Sequence, residues 1–276
     1  MNEFKKDLIN YLKKIPKDPN IVSVSLVGSF VDKEKFGMTE DVDIVVVFKW
    51  MTANSFIKLK DYLEDICNNL SNDKRYVYPA IISGPVKPKL GSRQTFMLHV
   101  LLGSHEKFEE RWSKPLIIDW MYKNIPIKGL KIRDLVKFRN FNKKDLLEGN
   151  DGLKFVKSII TSRKMSSSIY LVKKGKLIKR RWKRAVQGKE AAFEILQYVV
   201  IVSLLNVARL NNPKFKKEEN SLLIYAQKNL PKKYADIVKK MYKIKKDFKE
   251  TGKLDFDQKL LEKRVTDFLD YLIKSV

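Results

Sequence analysis

Asp41 and Asp43 are the residues of this 276-residue chain whose type and spacing point most directly to chemistry. They open the run Asp41-Val42-Asp43-Ile44-Val45-Val46-Val47-Phe48, which reads as a β-strand. Side chains at i and i+2 of a strand project from the same face, their Cα atoms about 7 Å apart. Two carboxylates held together are costly unless a positive group lies between them. A divalent metal is the usual answer, because hard cations prefer carboxylate oxygens. Twelve residues before Asp41 stands Ser29, preceded by Gly28, at the end of a second β-branched run, Ile21 to Val27. A Gly-Ser turn there, followed by a helix over Phe30 to Phe36, aims backbone amides at an anion such as phosphate.

These residues need a framework. Apolar spacing predicts a helix over Asn2 to Ile15, ended by Pro16 and Pro19. Strands follow over Ile21 to Val27 and Asp41 to Phe48, the second apolar on both faces and so central in its sheet. A helix is expected over Ser55 to Leu70, then strands over Lys74 to Ile82 and Gln94 to Leu102, read as antiparallel to each other. A short helix over Ser104 to Trp112, an apolar patch over Pro115 to Tyr122 and a strand pair or loop around Gly129 complete this part. From Ile132 onward the strand pattern disappears, and helices are expected over Arg133 to Leu147, Asp151 to Val172, Lys189 to Leu210, Ser221 to Leu230, Lys233 to Lys249 and Asp257 to Ser275. The fold class is therefore α+β, with a mixed-sheet domain over residues 1–132 and an all-α domain over residues 133–276.

Composition bounds the function. The chain is 44% hydrophobic, which supports a sizeable core. Cys67 is the single cysteine, so no internal disulfide forms, and a reducing, cytoplasmic compartment is expected. The first fifteen residues are amphipathic and charged, without the apolar centre of a secretory leader. Ala191 to Leu210 is the longest apolar stretch; Glu194, Gln197, Asn206 and Arg209 within it favour a core helix over a membrane span. The net charge of +25 points to a polyanionic partner, nucleic acid first of all; lysine-rich coding bias yields the same number without a partner.

The pattern Val27-Gly28-Ser29, eleven residues, then Asp41-Val42-Asp43-Ile44 resembles the signature of the DNA polymerase beta-like nucleotidyltransferase superfamily, over roughly the first hundred residues. The resemblance implies that Asp41 and Asp43 bind Mg²⁺ or Mn²⁺, that Gly28 and Ser29 hold the phosphates of an NTP, and that an acceptor hydroxyl attacks the α-phosphorus with pyrophosphate leaving. It also implies a third carboxylate from a later strand. Between Lys74 and His105 there is no Asp or Glu; the expected place falls on Met97, two residues before His99. Three readings stay open. His99 substitutes as ligand or general base, an acid such as Asp73, Glu106 or Asp119 reaches the site, or the site is not catalytic.

Relatives of this kind often carry a helical domain that closes over the nucleotide, and Lys189, at the start of an apolar helix, is a candidate contact to the triphosphate. The densest basic run is KKGKLIKRRWKR. Its Lys173, Lys174, Lys179, Arg180, Arg181 and Arg184 suit phosphates, and Trp182 suits an unpaired base; the structural alternative is a solvated helix face anchored by Trp182. The functions expected are transfer of an NMP to RNA, transfer to a small molecule, or RNA binding by a degenerate transferase fold. A small cationic acceptor suits a +25 chain least.

Overall fold

The alternation of β-branched and polar residues in the first half resolves into a sheet with the helices Glu3–Lys13 and Ala53–Leu70 on one face and Phe108 packed against Gly103 on the other. The computed structural model describes residues 3–15, 17–37, 39–83, 94–138, 140–149, 152–185, 188–215 and 218–276. The chain runs α1 (Glu3–Lys13), β1 (Ile21–Val27), a 3-10 turn (Ser29–Val31), β2 (Thr39–Phe48), α2 (Ala53–Leu70), β3 (Arg75–Ala80), β4 (Ile82–Ser83) and β5 (Gln94–Ser104). It continues through α3 (Phe108–Arg111), α4 (Lys114–Tyr122), β6 (Asn124–Gly129), a second 3-10 turn (Ile132–Leu135), α5 (Lys143–Glu148), α6 (Leu153–Ser162), β7 (Lys164–Lys173) and β8 (Lys176–Ala185). Four helices close it: α7 (Lys189–Asn211), α8 (Glu219–Asn229), α9 (Lys232–Thr251) and α10 (Gln258–Ser275). The α+β class expected from the sequence is what the chain adopts.

The five-stranded sheet has the order β3-β5-β2-β1-β6. β2 sits at its centre, as its unbroken apolar run requires. It pairs in parallel with β5 and antiparallel with β1. The even-numbered positions of β1, β2 and β5 (Val24, Leu26, Val42, Ile44, Val46, Phe96, Leu98, Val100) face a core shared with Leu8 and Leu12 of α1 and with Phe56, Leu59, Leu63 and Ile66 of α2. Period two along the strands and a helical stripe on the helices produce that face together. Thr52 caps α2, its side chain accepting from the Ser55 amide at 3.1 Å.

Several expectations are corrected. β3 and β5 are parallel, not antiparallel; periodicity shows which face a strand buries and is silent on its direction. The helix expected over Phe30 to Phe36 shrinks to the 3-10 turn Ser29–Val31, because Phe30 and Phe36 both turn inward and stack, with ring centroids 5.0 Å apart and planes within 6°. The helix expected over Asp151 to Val172 stops at Ser162, where Arg163 takes a left-handed conformation. The basic run that follows is a strand: β7 and β8 form a hairpin around Lys174 and Gly175, whose φ values of 50° and 70° are those a two-residue type I′ turn requires. β4 joins that hairpin through Ile82–Ile169 and Ser83–Ser168. Helix over Arg133 to Leu147 is confined to the second 3-10 turn and α5.

The chain forms two compact units. One comprises residues 1–112, 119–137 and 166–183; the other comprises 113–118, 138–165 and 184–276. The hairpin thus counts with the sheet, and the unit limits do not fall at a single point in sequence. In the second unit α7 is the central element, with Phe193, Leu196, Val199, Val200 and Leu204 buried along it. By length and composition α7 could cross a membrane, yet 67% of its most apolar window is buried inside the protein.

Candidate functional site

Asp41 and Asp43 lie on the face of the sheet opposite the α1–α2 core. The register brings their neighbours together. Asp43 pairs with Val27 on one side and with His99 on the other; Asp41 pairs with Met97. Gly28, immediately after Val27, has φ 75° and ψ −160°, a region that essentially only glycine occupies. A Cβ built there would stand 2.6 Å from Asp43 Oδ2. The turn backbone and the carboxylate are therefore in direct apposition, and glycine is required twice over, by conformation and by space. Ser29 follows with its side chain exposed.

The loop between Ser29 and Asp41 is held from below. Lys5 of α1 donates to the carbonyl of Val31 and, at 3.4 Å, to that of Lys33. Burial, the largest influence, lowers the Lys5 pKa, against the raising effect of Asp32 and Glu34. Glu40, buried beside the site, pairs with Lys33 and accepts from the Gly37 amide at 2.8 Å. Phe4 lies edge-on to Phe30 and Phe36, with centroids 6.2 and 6.0 Å away, and tilts against Phe96 at 4.0 Å. This aromatic floor fixes where the Gly-Ser turn can stand relative to the acid strand.

His99 is engaged with the pair. Its Nδ1 lies 2.8 Å from Asp43 Oδ1, and the two side chains are 12% and 30% exposed. This hydrogen bond ties the His99 ring to the Asp43 carboxylate. His99 is thereby oriented as a base or ligand. Met97, in the place where a third acid is expected, is 2% exposed. Among the described residues no group of three or more His, Cys, Asp or Glu side chains is arranged to hold a metal ion, so Asp73, Glu106 and Asp119 do not complete such a cluster. Asp43 lies against the glycine turn and bonds His99, and Asp41 shares its strand face.

The parallel pairing with β5 also brings β3 to this face. Tyr76, Tyr78 and Ala80 pair with Thr95, Met97 and His99. The Tyr76 and Tyr78 rings stack 5.7 Å apart at 17°, and Tyr76 is 41% exposed. These tyrosines were not singled out in the sequence. The alternation Tyr-Val-Tyr was the available signal, and it gains meaning only once the strand is known to run parallel beside His99.

Lys189 is in the second unit, where its ammonium lies 5.0 Å from the centroid of the Phe256 ring. Lys173, Lys174, Arg180 and Arg181 are exposed on the hairpin. Lys179 has its pKa lowered, first by burial and then by the charges of Arg111 and Arg181. Arg111 binds the Tyr170 hydroxyl and lies over the rings of Trp112 and Tyr170, at 5.1 and 5.3 Å, which ties α3 to the hairpin. The side chains of Trp182 and Arg184 lie outside the described residues.

No family model matches the chain, and no curated protein matches it.

Proposed function

We propose that the chain is a metal-dependent nucleotidyltransferase that moves an NMP from an NTP to a hydroxyl of RNA. The observation that carries this reading is the apposition of the Gly28 backbone to Asp43, with Asp41 on the same strand face. A turn open to phosphate beside two acids is the arrangement that nucleotide-bound Mg²⁺ needs. Asp41 and Asp43 would hold the cation, which when bound would supply neutralisation of phosphate charge and a lowered pKa of the acceptor hydroxyl. The backbone at Gly28 and Ser29 binds the β- and γ-phosphates. The acceptor oxygen bonds to the α-phosphorus, the bond from that phosphorus to the pyrophosphate oxygen breaks, and the hydroxyl proton passes to the His99 ring. Positioning and charge neutralisation supply most of the rate.

The test is label transfer. The protein is incubated with each α-labelled NTP, Mg²⁺ or Mn²⁺, and total RNA, beside the double variant Asp41→Ala, Asp43→Ala. Transfer by the wild type and none by the variant is expected. If no NTP is consumed under any of these conditions, the enzyme reading fails.

One observation favours a second reading. Met97 occupies the position beside Asp41 where a third carboxylate is expected. A transferase fold without that acid is suited to bind RNA without modifying it, and RNA binding with a steep salt dependence but no NTP turnover would be its signature.

A further inference from the structure

The stacked pair Tyr76 and Tyr78 borders Thr95 and Met97, which are buried, while the Tyr76 ring itself stays exposed. Both side chains point away from the core that Val77, between them, joins. Among the described residues β3 is the edge strand of the sheet, with no strand paired beyond it. Tyr78 lies in the same cross-strand row as Met97 and Asp41. Two strand spacings separate Tyr78 from Asp41, about 10 Å between their Cα atoms. Burial, then the neighbouring Tyr76, raises the Tyr78 pKa.

The direction of the reaction gives these rings a role. Gly28 and Ser29 stand on the β1 side of Asp43; β5 and β3 stand on its other side. In-line displacement needs the attacking hydroxyl and the leaving pyrophosphate on opposite sides of the α-phosphorus. With pyrophosphate held at the Gly28 turn, the opposite side of the α-phosphorus faces β5, where Thr95 and Met97 are buried, and β3, where the Tyr76 ring is exposed. We propose that Tyr76 and Tyr78 are a stacking platform for the unpaired base at the acceptor's reactive end, so that the acceptor is a single-stranded RNA terminus rather than a small molecule or a paired end. The proposal rests on the transferase reading for this polarity. The charge of +25 supplies the attraction for the backbone of such a strand, and aromatic rings bind bases with little regard to sequence.

The test compares two short, fluorescent, single-stranded RNAs that differ only in a 3′-terminal abasic nucleotide. Binding is read by anisotropy at fixed salt with the full chain. Wild type is expected to bind the intact end about tenfold tighter, the scale of one stacked base. The double variant Tyr76→Ala, Tyr78→Ala is expected to bind both RNAs alike, while Tyr76→Phe, Tyr78→Phe keeps the preference, since ring and not hydroxyl does the work. If the Ala pair does not fold, the single Tyr76→Ala, at a half-exposed ring, replaces it and is expected to weaken the preference. Equal binding of both RNAs by wild type overturns the platform, as does a preference that survives in the Ala variant or vanishes in the Phe variant. A loss of NTP affinity in place of base preference would assign the rings to the incoming nucleotide and overturn the acceptor assignment. NTP consumption is followed in parallel. Turnover without base preference removes the platform and leaves the enzyme; base preference without turnover leaves a base-stacking surface and overturns its role as an acceptor platform.

Discussion

At the scale of single residues, Gly28 is the position where backbone and chemistry meet. Replacing it with Ala forces a positive φ on an L-residue and drives a methyl group toward Asp43 Oδ2, only 2.6 Å from the built Cβ. The conformational strain alone costs about 1–3 kcal/mol, and the carboxylate must move as well. Gly28→Ala should lower the melting temperature and reduce NMP transfer by more than tenfold; a variant with wild-type rate would show that Asp43 tolerates displacement. Met97 offers a complementary experiment. An acid there would lie beside Asp41 in a nearly dry position, so Met97→Asp should destabilise the protein in chelator. Added Mg²⁺ should then raise its melting temperature by more than it raises that of the wild type, since a ligand at 100 times its Kd stabilises by about 2.7 kcal/mol. Identical Mg²⁺ responses would mean that no cation sits between these strands. What was legible here was the acid pair and its glycine turn, because strand period and residue type define both. The hydrogen bond from His99 to Asp43 was not, since it depends on pairing between strands separated by 56 positions in sequence.

At the scale of elements, the sequence was most reliable where an element buries one continuous face. β2, α1, α2 and α7 all lie where their apolar patterns put them. It failed where charge obscured period. In β7 and β8 the inward residues Tyr170, Val172 and Leu177 pack against the core, but the lysines and arginines around them erase the alternation that marks a strand. At the Lys174-Gly175 turn only the glycine matches the residue types that two-residue hairpins favour, and lysine is not among those that usually precede it. Two-residue geometry pairs Lys173 with Lys176 and Leu171 with Ile178, which places Lys173, Lys176 and Arg180 on the outward face beside the exposed Leu171 and Ile178. If this face binds RNA, changing those three cations to Gln should reduce the slope of log K against log salt by about 2, close to 0.7 per lost phosphate contact. The folding stability should stay within about 0.5 kcal/mol of wild type, as surface substitutions do. An unchanged slope would move the RNA contact off the hairpin.

At the scale of the whole molecule, one compact unit carries the acid pair and the basic hairpin together, while the other is built around the buried helix α7. A single thiol serves the entire chain. Cys67 sits in α2 at 3% exposure, and burial pushes its pKa up to about 12. The unfolded thiol ionises near pH 8.5, so the native state holds its proton where the unfolded state has lost it. Stability from this group is therefore complete below about pH 8.5 and declines as the pH climbs toward 12. A protonated, enclosed thiol does not attack disulfide reagents. Modification at pH 8 should accordingly wait for the sheet and α2 to part, and its rate should track the opening of this unit rather than the reagent's own chemistry. Rapid labelling of the native protein would contradict that burial. Cys67 thus acts as a built-in clock for the sheet unit: any NTP, metal ion or RNA that steadies it should slow a single colour change, with no dye or tag attached.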